Sequence, residues 1–186
     1  MLVLDVSLII IIMYIIVYLY NSLKVETYSI KQNDESKDRK TIQYLKYKTK
    51  RLLRKLKKSP HRNKKEVKRL MKNWSGVIKE LKVKYKSDSI AYSVNKGERI
   101  HICLTDPNTG KMITDKNTMY FVLLHELAHV MTKEYSHNES FWNNFRFLLR
   151  FSIKKGMYRY VNYKESSVTF CGKNINHNPC KNKDCY

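Results

Sequence analysis

The spacing of hydrophobic residues changes repeatedly along the chain, and each change marks an element. The first stretch is unbroken. Leu2 to Tyr20 reads LVLDVSLIIIIMYIIVYLY, with Asp5 as its one charge. A helix of about 20 apolar residues spans the hydrocarbon core of a bilayer, so the pattern predicts a transmembrane anchor over 1–20. No Lys or Arg precedes position 24, and the run ends in Val-Tyr-Leu-Tyr-Asn. A signal peptide instead starts basic and ends in small residues at a cleavage site. Residues 21–40 are polar and mixed in charge, which reads as a flexible tether.

Beyond residue 40 the apolar positions become sparse and periodic. Ile42, Leu45, Leu52, Leu53 and Leu56 recur at helical spacing among basic residues, and Pro60 stops them. A second helix is predicted from about Lys64 to Asn73, with Val67, Leu70 and Met71 on one side. These make a basic helical region over 41–84. Trp74-Ser-Gly76 breaks the pattern, and Val77 to Leu81 reads as one more helical turn or as a first strand. Then the period shortens to two. Ser89–Val94 and Arg99–Leu104 are strand candidates around the turn Asn95-Lys-Gly-Glu98, and together predict a hairpin. Asp106 to Gly110 makes a further turn.

A denser run follows, Met119-Tyr-Phe-Val-Leu-Leu-His-Glu-Leu-Ala-His-Val-Met131. It is apolar nearly all round, as a buried helix is. Asp115 or Asn117 can cap its start, and it should end near Lys133. Another helix is predicted from Glu139 to Lys155. Asn138 or Ser140 caps it, Phe141, Trp142, Phe145, Leu148, Leu149 and Ile153 face inward, and Gly156 stops it. Ser167–Phe170 is a last strand candidate, and 173–186 reads as a loosely ordered polar tail. The predicted class is α+β. A small antiparallel sheet packs on one buried helix and its successor over 85–172, with a transmembrane helix and a basic helical hairpin ahead of it.

Charge sharpens this division. The formal net charge is +21, and the segment from Lys37 to Lys86 holds 21 Lys or Arg against Asp38, Glu66 and Glu80. The basic character therefore belongs to residues 37–86. It reads as the solvated face of a helical hairpin, as a surface for anionic lipid headgroups, or as a phosphate-binding surface for nucleic acid. Because Lys and Arg follow the apolar run, the C-terminal bulk is expected on the cytoplasmic side of a host or virion membrane. That compartment is reducing, so Cys103, Cys171, Cys180 and Cys185 are expected as thiols or ligands. Cys171, His177, Cys180 and Cys185 are a conceivable second zinc site, although their spacings are not those of a common zinc ribbon.

The chemistry centres on His125-Glu-Leu-Ala-His129, an HExxH pattern inside the apolar run. Residues four apart share a helix face, so both imidazoles can reach one metal ion, and two neutral nitrogens suit Zn2+. Glu126 is then placed to act as general base toward a water. Hydrolytic zinc sites take three protein ligands. His137 is the natural third, with Glu134, Glu139 and Glu165 as rivals. The strand Arg99–Leu104 is expected above the cleft, its edge holding an extended peptide by β-augmentation. Tyr158, Tyr160, Tyr163 and His101 could supply an oxyanion donor, and each also has an ordinary structural reading.

HELAH followed by His137-Asn-Glu-Ser-Phe-Trp142 resembles the small zincin metallopeptidases, the WLM and SprT-like groups above all. Tyr92 to Gly172 is similar to uncharacterised metallopeptidase-like proteins of large eukaryotic DNA viruses. The shared parts are Ser93-Val-Asn-Lys-Gly-Glu98, Leu123-Leu-His-Glu-Leu-Ala-His129, the His137 stretch and Cys171-Gly172. The resemblance implies His125, His129 and His137 as zinc ligands and Glu126 as the base. Seven residues separate His129 from His137, and Val130 to Ser136 lacks the glycine of the metzincin turn, so a wider loop is expected. The expected function is a membrane-anchored zinc-dependent metallopeptidase acting on proteins or peptides. The alternative is a structural or binding protein of zincin fold that engages nucleic acid or anionic membrane through its basic helices.

Overall fold

The structure is a computed structural model that describes residues 6–82 and 89–180. Its first element is the helix α1, Val6–Lys57. The chain divides into two compact units between Arg39 and Lys40. In the first unit, Leu8–Thr27 is long and apolar enough to cross a membrane, and its side chains are exposed rather than packed in a core. The expected tether over 21–40 is helical backbone instead. Its polar composition concealed this, but no Gly or Pro interrupts the segment and its Lys, Glu and Gln are good helix formers.

The second unit starts with the remainder of α1. Leu45, Leu52 and Leu56 are fully buried on one stripe, with Thr49 among them donating to the Leu45 carbonyl at 3.0 Å. A 3-10 turn at Pro60–Asn63 follows, with Ser59 Oγ accepting from the His61 amide. Helix α2, Lys65–Asn73, buries Val67 and Leu70. The ambiguous stretch after Gly76 is a strand, β1 at Ile78–Glu80.

Strands β2, Ala91–Val94, and β3, Arg99–Ile102, form the expected antiparallel hairpin. The sheet order is β1-β3-β2, with β1 parallel to β3. This corrects one expectation. β3 is central, so its edges are already paired, and the strand with an open edge beside the site is β2. The turn between them explains how the hairpin seats. Gly97 has φ +120°, and a Cβ there would meet the Asn73 carbonyl oxygen at 2.7 Å and Val130 Cγ1 at 2.9 Å. The hairpin tip thus lies directly on the end of α2 and on the helix α3, Lys116–Met131.

Asp115 caps α3, accepting from the amides of Asn117 and Thr118 at 2.9 and 3.1 Å. At the other end, Thr132 Oγ1 donates to the Ala128 carbonyl and accepts from Asn144 Nδ2 at 3.0 Å. Asn144 belongs to α4, Glu139–Lys154, whose N-cap Asn138 accepts from the Phe141 amide. The two helices share an aromatic seam that includes Phe121 and Phe145, ring centroids 5.1 Å apart.

The C-terminal segment departs most from expectation. The strand candidate is β4, Val168–Phe170, and it pairs with β5, Lys173–Ile175, inside the presumed loose tail. Ile175 and Cys180 are buried. Cys103 and Cys171 form a disulfide across 68 residues, and Cys180 is also disulfide-bonded. The expected free thiols are absent among the described residues. The proposed Cys171–His177–Cys180–Cys185 zinc site is corrected too, since Cys171 and Cys180 are committed to other bonds. Cys185 lies outside the described residues.

Candidate metal centre

From Thr118 to Thr132 every side chain of α3 and its cap is buried except His125 and His129. Sequence spacing puts both on one face, and packing leaves that face as the one opening in an otherwise closed helix. The widened loop 132–138 then returns His137 to the same opening, one residue before the cap of α4. His137 Nε2 lies 3.1 Å from both His125 Nε2 and His129 Nε2. Two Zn–N bonds of 2.0–2.1 Å at a tetrahedral angle place their nitrogens about 3.3 Å apart. The three imidazoles fit a zinc ion, and His137 stands exposed at the mouth of the site.

Phe141 sets this arrangement. Its fully buried ring sits 4.8, 4.4 and 4.6 Å from the rings of His125, His129 and His137. Sequence spacing identified it only as an inward core position. Its role as a common backing for three imidazoles depends on the loop geometry. The carboxylate rivals for the third position lie elsewhere. Among the described residues, the only cluster of three or more metal-capable groups is His125, His129 and His137, without Glu134, Glu139 or Glu165.

Electrostatics suit the role. Burial is the main cause that brings His125 down to about 3 and His129 to about 4, with neighbouring imidazoles adding to it. His137 is lowered by burial alone. All three are therefore neutral at pH 7, the form that ligates metal. Glu126 is 4% exposed, and burial pushes its carboxyl up to about 8 against the pull of a hydrogen bond from the Ser93 backbone amide. A dication at the triad would lower it again, since an opposite charge nearby favours the ionised form. Ser93 is on β2, so the edge strand, the carboxyl and the triad share one cleft.

Of the candidate oxyanion donors, Tyr158 is buried with its ring 6.1 Å from Phe121, and the other three have partners of their own. Tyr163 is buried against Thr118, with 3.0 Å between their hydroxyl oxygens, Tyr160 accepts from Asn178, and His101 stacks on Tyr92. Sequence reasoning missed Ser93, whose contribution is a backbone N–H and leaves no side-chain signature. It also misassigned His177, whose ring lies 5.8 Å from Trp142 and 6.3 Å from Phe121 at the rim of the same cleft.

Fold and site together define an α+β protein with a three-histidine centre and an adjacent buried carboxyl. The chain belongs to the WLM domain family, whose model matches residues 39–183, and this family is metallopeptidase-like. A similar protein of Acanthamoeba polyphaga mimivirus is 39% identical over 82 residues, covering 44% of this chain and 41% of that protein. One from Invertebrate iridescent virus 3 is 40% identical over 76 residues, covering 41% and 46%. Another from Invertebrate iridescent virus 6 is 30% identical over 95 residues, covering 47% and 53%. All three are uncharacterised proteins, and the chain spans about half the length of these relatives. No solved structure matches the chain.

Proposed function

We propose that this protein is a membrane-anchored, zinc-dependent metallopeptidase of viral type. His125, His129 and His137 hold the metal, and Glu126 is the general base. The observation that carries the reading is the convergence of three Nε2 atoms beside a buried glutamate on the same helix. When bound, zinc supplies an acidified water and polarises the scissile carbonyl. Glu126 takes the water's proton and returns it to the leaving amine. The Ser93 amide orients that carboxyl. An extended substrate adds along the open edge of β2, which takes the place expected of β3.

Leu8–Thr27 is the anchor in this reading. The Lys and Arg that follow it favour the cytoplasmic side, whereas the Cys103–Cys171 bond is of a kind that persists under oxidising conditions. In this reading the domain faces the interior side of a host or virion membrane. The basic helices, facing anionic lipid headgroups, are part of the same proposal.

The test is zinc content with a catalytic variant. Purified full-length chain should hold one zinc and cleave an unfolded protein such as casein. Glu126→Gln should keep the zinc and lose cleavage. Equal cleavage by the variant would sink the reading, as would a chain that takes up no zinc.

A further inference from the structure

The three-histidine centre and Glu126 account for a ligand set and a base, but not for a protein hydrogen-bond donor to the scissile carbonyl oxygen as negative charge develops on it. The geometry points to His177 as the donor that stabilises it, extending the metallopeptidase reading on which this inference rests. His177 leaves β5 at the rim of the cleft, and its surroundings form a built presentation. Asn178 Nδ2 donates to Tyr160 Oη at 2.7 Å, and Asn178 Oδ1 accepts from the Cys180 amide at 3.0 Å. Arg146 donates to the Pro179 carbonyl at 3.5 Å. Pro179 and Cys180 are buried, and Cys180 is disulfide-bonded. Every residue from Asn178 to Cys180 is thus tied down, while the imidazole between them and β5 is exposed.

Its position relative to the triad follows from shared neighbours. His177 meets the Trp142 ring edge-on at 5.8 Å, and Trp142 is 6.0 Å from His137. On its other side it contacts Phe121, one helical turn before His125. It therefore flanks the triad on the α4 side, whereas Glu126 and Ser93 lie on the β2 side. A peptide crossing the centre runs between the two walls. Beside His177, on the side of α4, a cavity of about 500 Å3 is lined by Glu139, Trp142, Arg146, Asn178 and Pro179. Were His177 only a packing residue between Phe121 and Trp142, an apolar side chain would serve better, whereas this imidazole is exposed.

The chemistry balances without any new participant. The water oxygen bonds to the carbonyl carbon, the C–N bond breaks, and the proton travels by way of Glu126 to the amine. His177 transfers nothing. Its N–H donates a hydrogen bond to the carbonyl oxygen as that oxygen gains charge, which is the stage at which a fixed donor accelerates reaction most. Partial desolvation, with His137 nearby, holds the half-shielded imidazole below its usual range, so it is a neutral donor at pH 7.

The test uses the zinc-loaded full chain in detergent. Its readouts are casein cleavage, zinc content, thermal unfolding, and calorimetric binding of a phosphinic tripeptide as a tetrahedral probe. His177→Ala should lower kcat by about 10²–10³-fold with KM nearly unchanged. It should weaken phosphinate binding at least ~10-fold, in step with that transition-state loss. Zinc content and melting temperature should stay as in the parent, and His177→Gln, which keeps a donor, should recover part of both losses. Unchanged kcat and unchanged phosphinate affinity in His177→Ala, with the parent active, overturn this role and leave the metallopeptidase reading standing. A loss of zinc or of thermal stability in both variants also overturns it, by making His177 structural. A parent that neither cleaves nor binds phosphinate removes both proposals at once.

Discussion

Helix α3 and the C-terminal hairpin β4–β5, with the segment that follows it, are held in place by different physics. α3 is held on all sides by apolar packing, is capped at both ends, and opens only at His125 and His129. Its histidines need no outside help to share a face. The hairpin is two three-residue strands in a polar stretch, and its place against the domain depends on Cys171, the Tyr160–Asn178 bond and Arg146. In the proposed reading the first region supplies two metal ligands and the base, and the segment that follows the hairpin supplies the opposite rim through His177. Damage to α3 should therefore abolish chemistry, while damage to the hairpin should impair it and leave the metal in place.

The largest expected effect breaks the α3 side. Glu126→Gln should lower kcat by about 10²–10⁴-fold with zinc retained, measured by peptide cleavage and metal analysis. His137→Ala should instead weaken zinc itself. If it left zinc affinity unchanged, the loop would not belong to the centre, and the contrast between the two regions would have to be redrawn.

Next comes the staple of the hairpin. Replacing Cys103 and Cys171 together with Ser removes a cross-link over 68 residues. Loop-closure entropy puts its contribution at about 4 kcal/mol. Denaturant unfolding should show most of that loss. Zinc affinity should change little, because neither cysteine touches the triad, but turnover should fall as His177 loses its mooring. Full turnover in the double variant would show that the hairpin does not shape the cleft.

Phe141→Ala tests the seam where the two regions meet, since this ring backs all three imidazoles. Phe→Ala in a packed core costs about 3–5 kcal/mol. Phe141→Leu should keep the fold while weakening zinc, because the flat face that orients the imidazoles is gone. Stability by thermal unfolding and affinity by chelator competition separate these two outcomes.

Much of this was legible in sequence, for reasons that sort by range. HExxH at i and i+4, the Asp115 and Asn138 caps, and the Gly97 turn are local, and chain geometry alone commits them. His137 was found by counting ligands, although its loop is longer than the pattern it resembles. Strand order was not legible. β3 has the better alternation, yet β1 arrives in parallel and makes it central, and only the register Ile78↔Ile100 shows this. The tail hid its role for the same reason. Asn174 and Asn176 are exposed, as in a solvated end, but Ile175, Pro179 and Cys180 between and beyond them are buried, behind a cross-link from Cys171 to a sulfur 68 residues earlier. The helix over 21–40 was missed in the opposite sense, because polarity is not a helix breaker when Gly and Pro are absent.

The smallest effect concerns pH and the metal-free protein, and it isolates α3 from the hairpin. Glu126 titrates near 8 when folded against an ordinary 4.5, so between those values the folded state binds more protons than the unfolded one. Stability from this group is full below 4.5 and is lost as pH rises toward 8. His125 and His129 act in the opposite direction. Their folded values, about 3 and 4, lie below the usual 6.5, so they take stability away as pH falls below 6.5. The metal-free chain should thus be most stable at mildly acidic pH and should lose stability from there to pH 8, by under about 1 kcal/mol, since a pKa shift of one unit is worth about 1.4 kcal/mol and the histidines offset part of the Glu126 effect. Glu126→Gln should flatten the alkaline arm and leave the acidic arm intact, whereas replacing His177, whose imidazole is also held below its usual range, should leave the alkaline arm in place. Denaturant midpoints at three pH values suffice. An alkaline arm that persists in Glu126→Gln would mean that another group carries it and that the buried carboxyl is already ionised before the metal arrives.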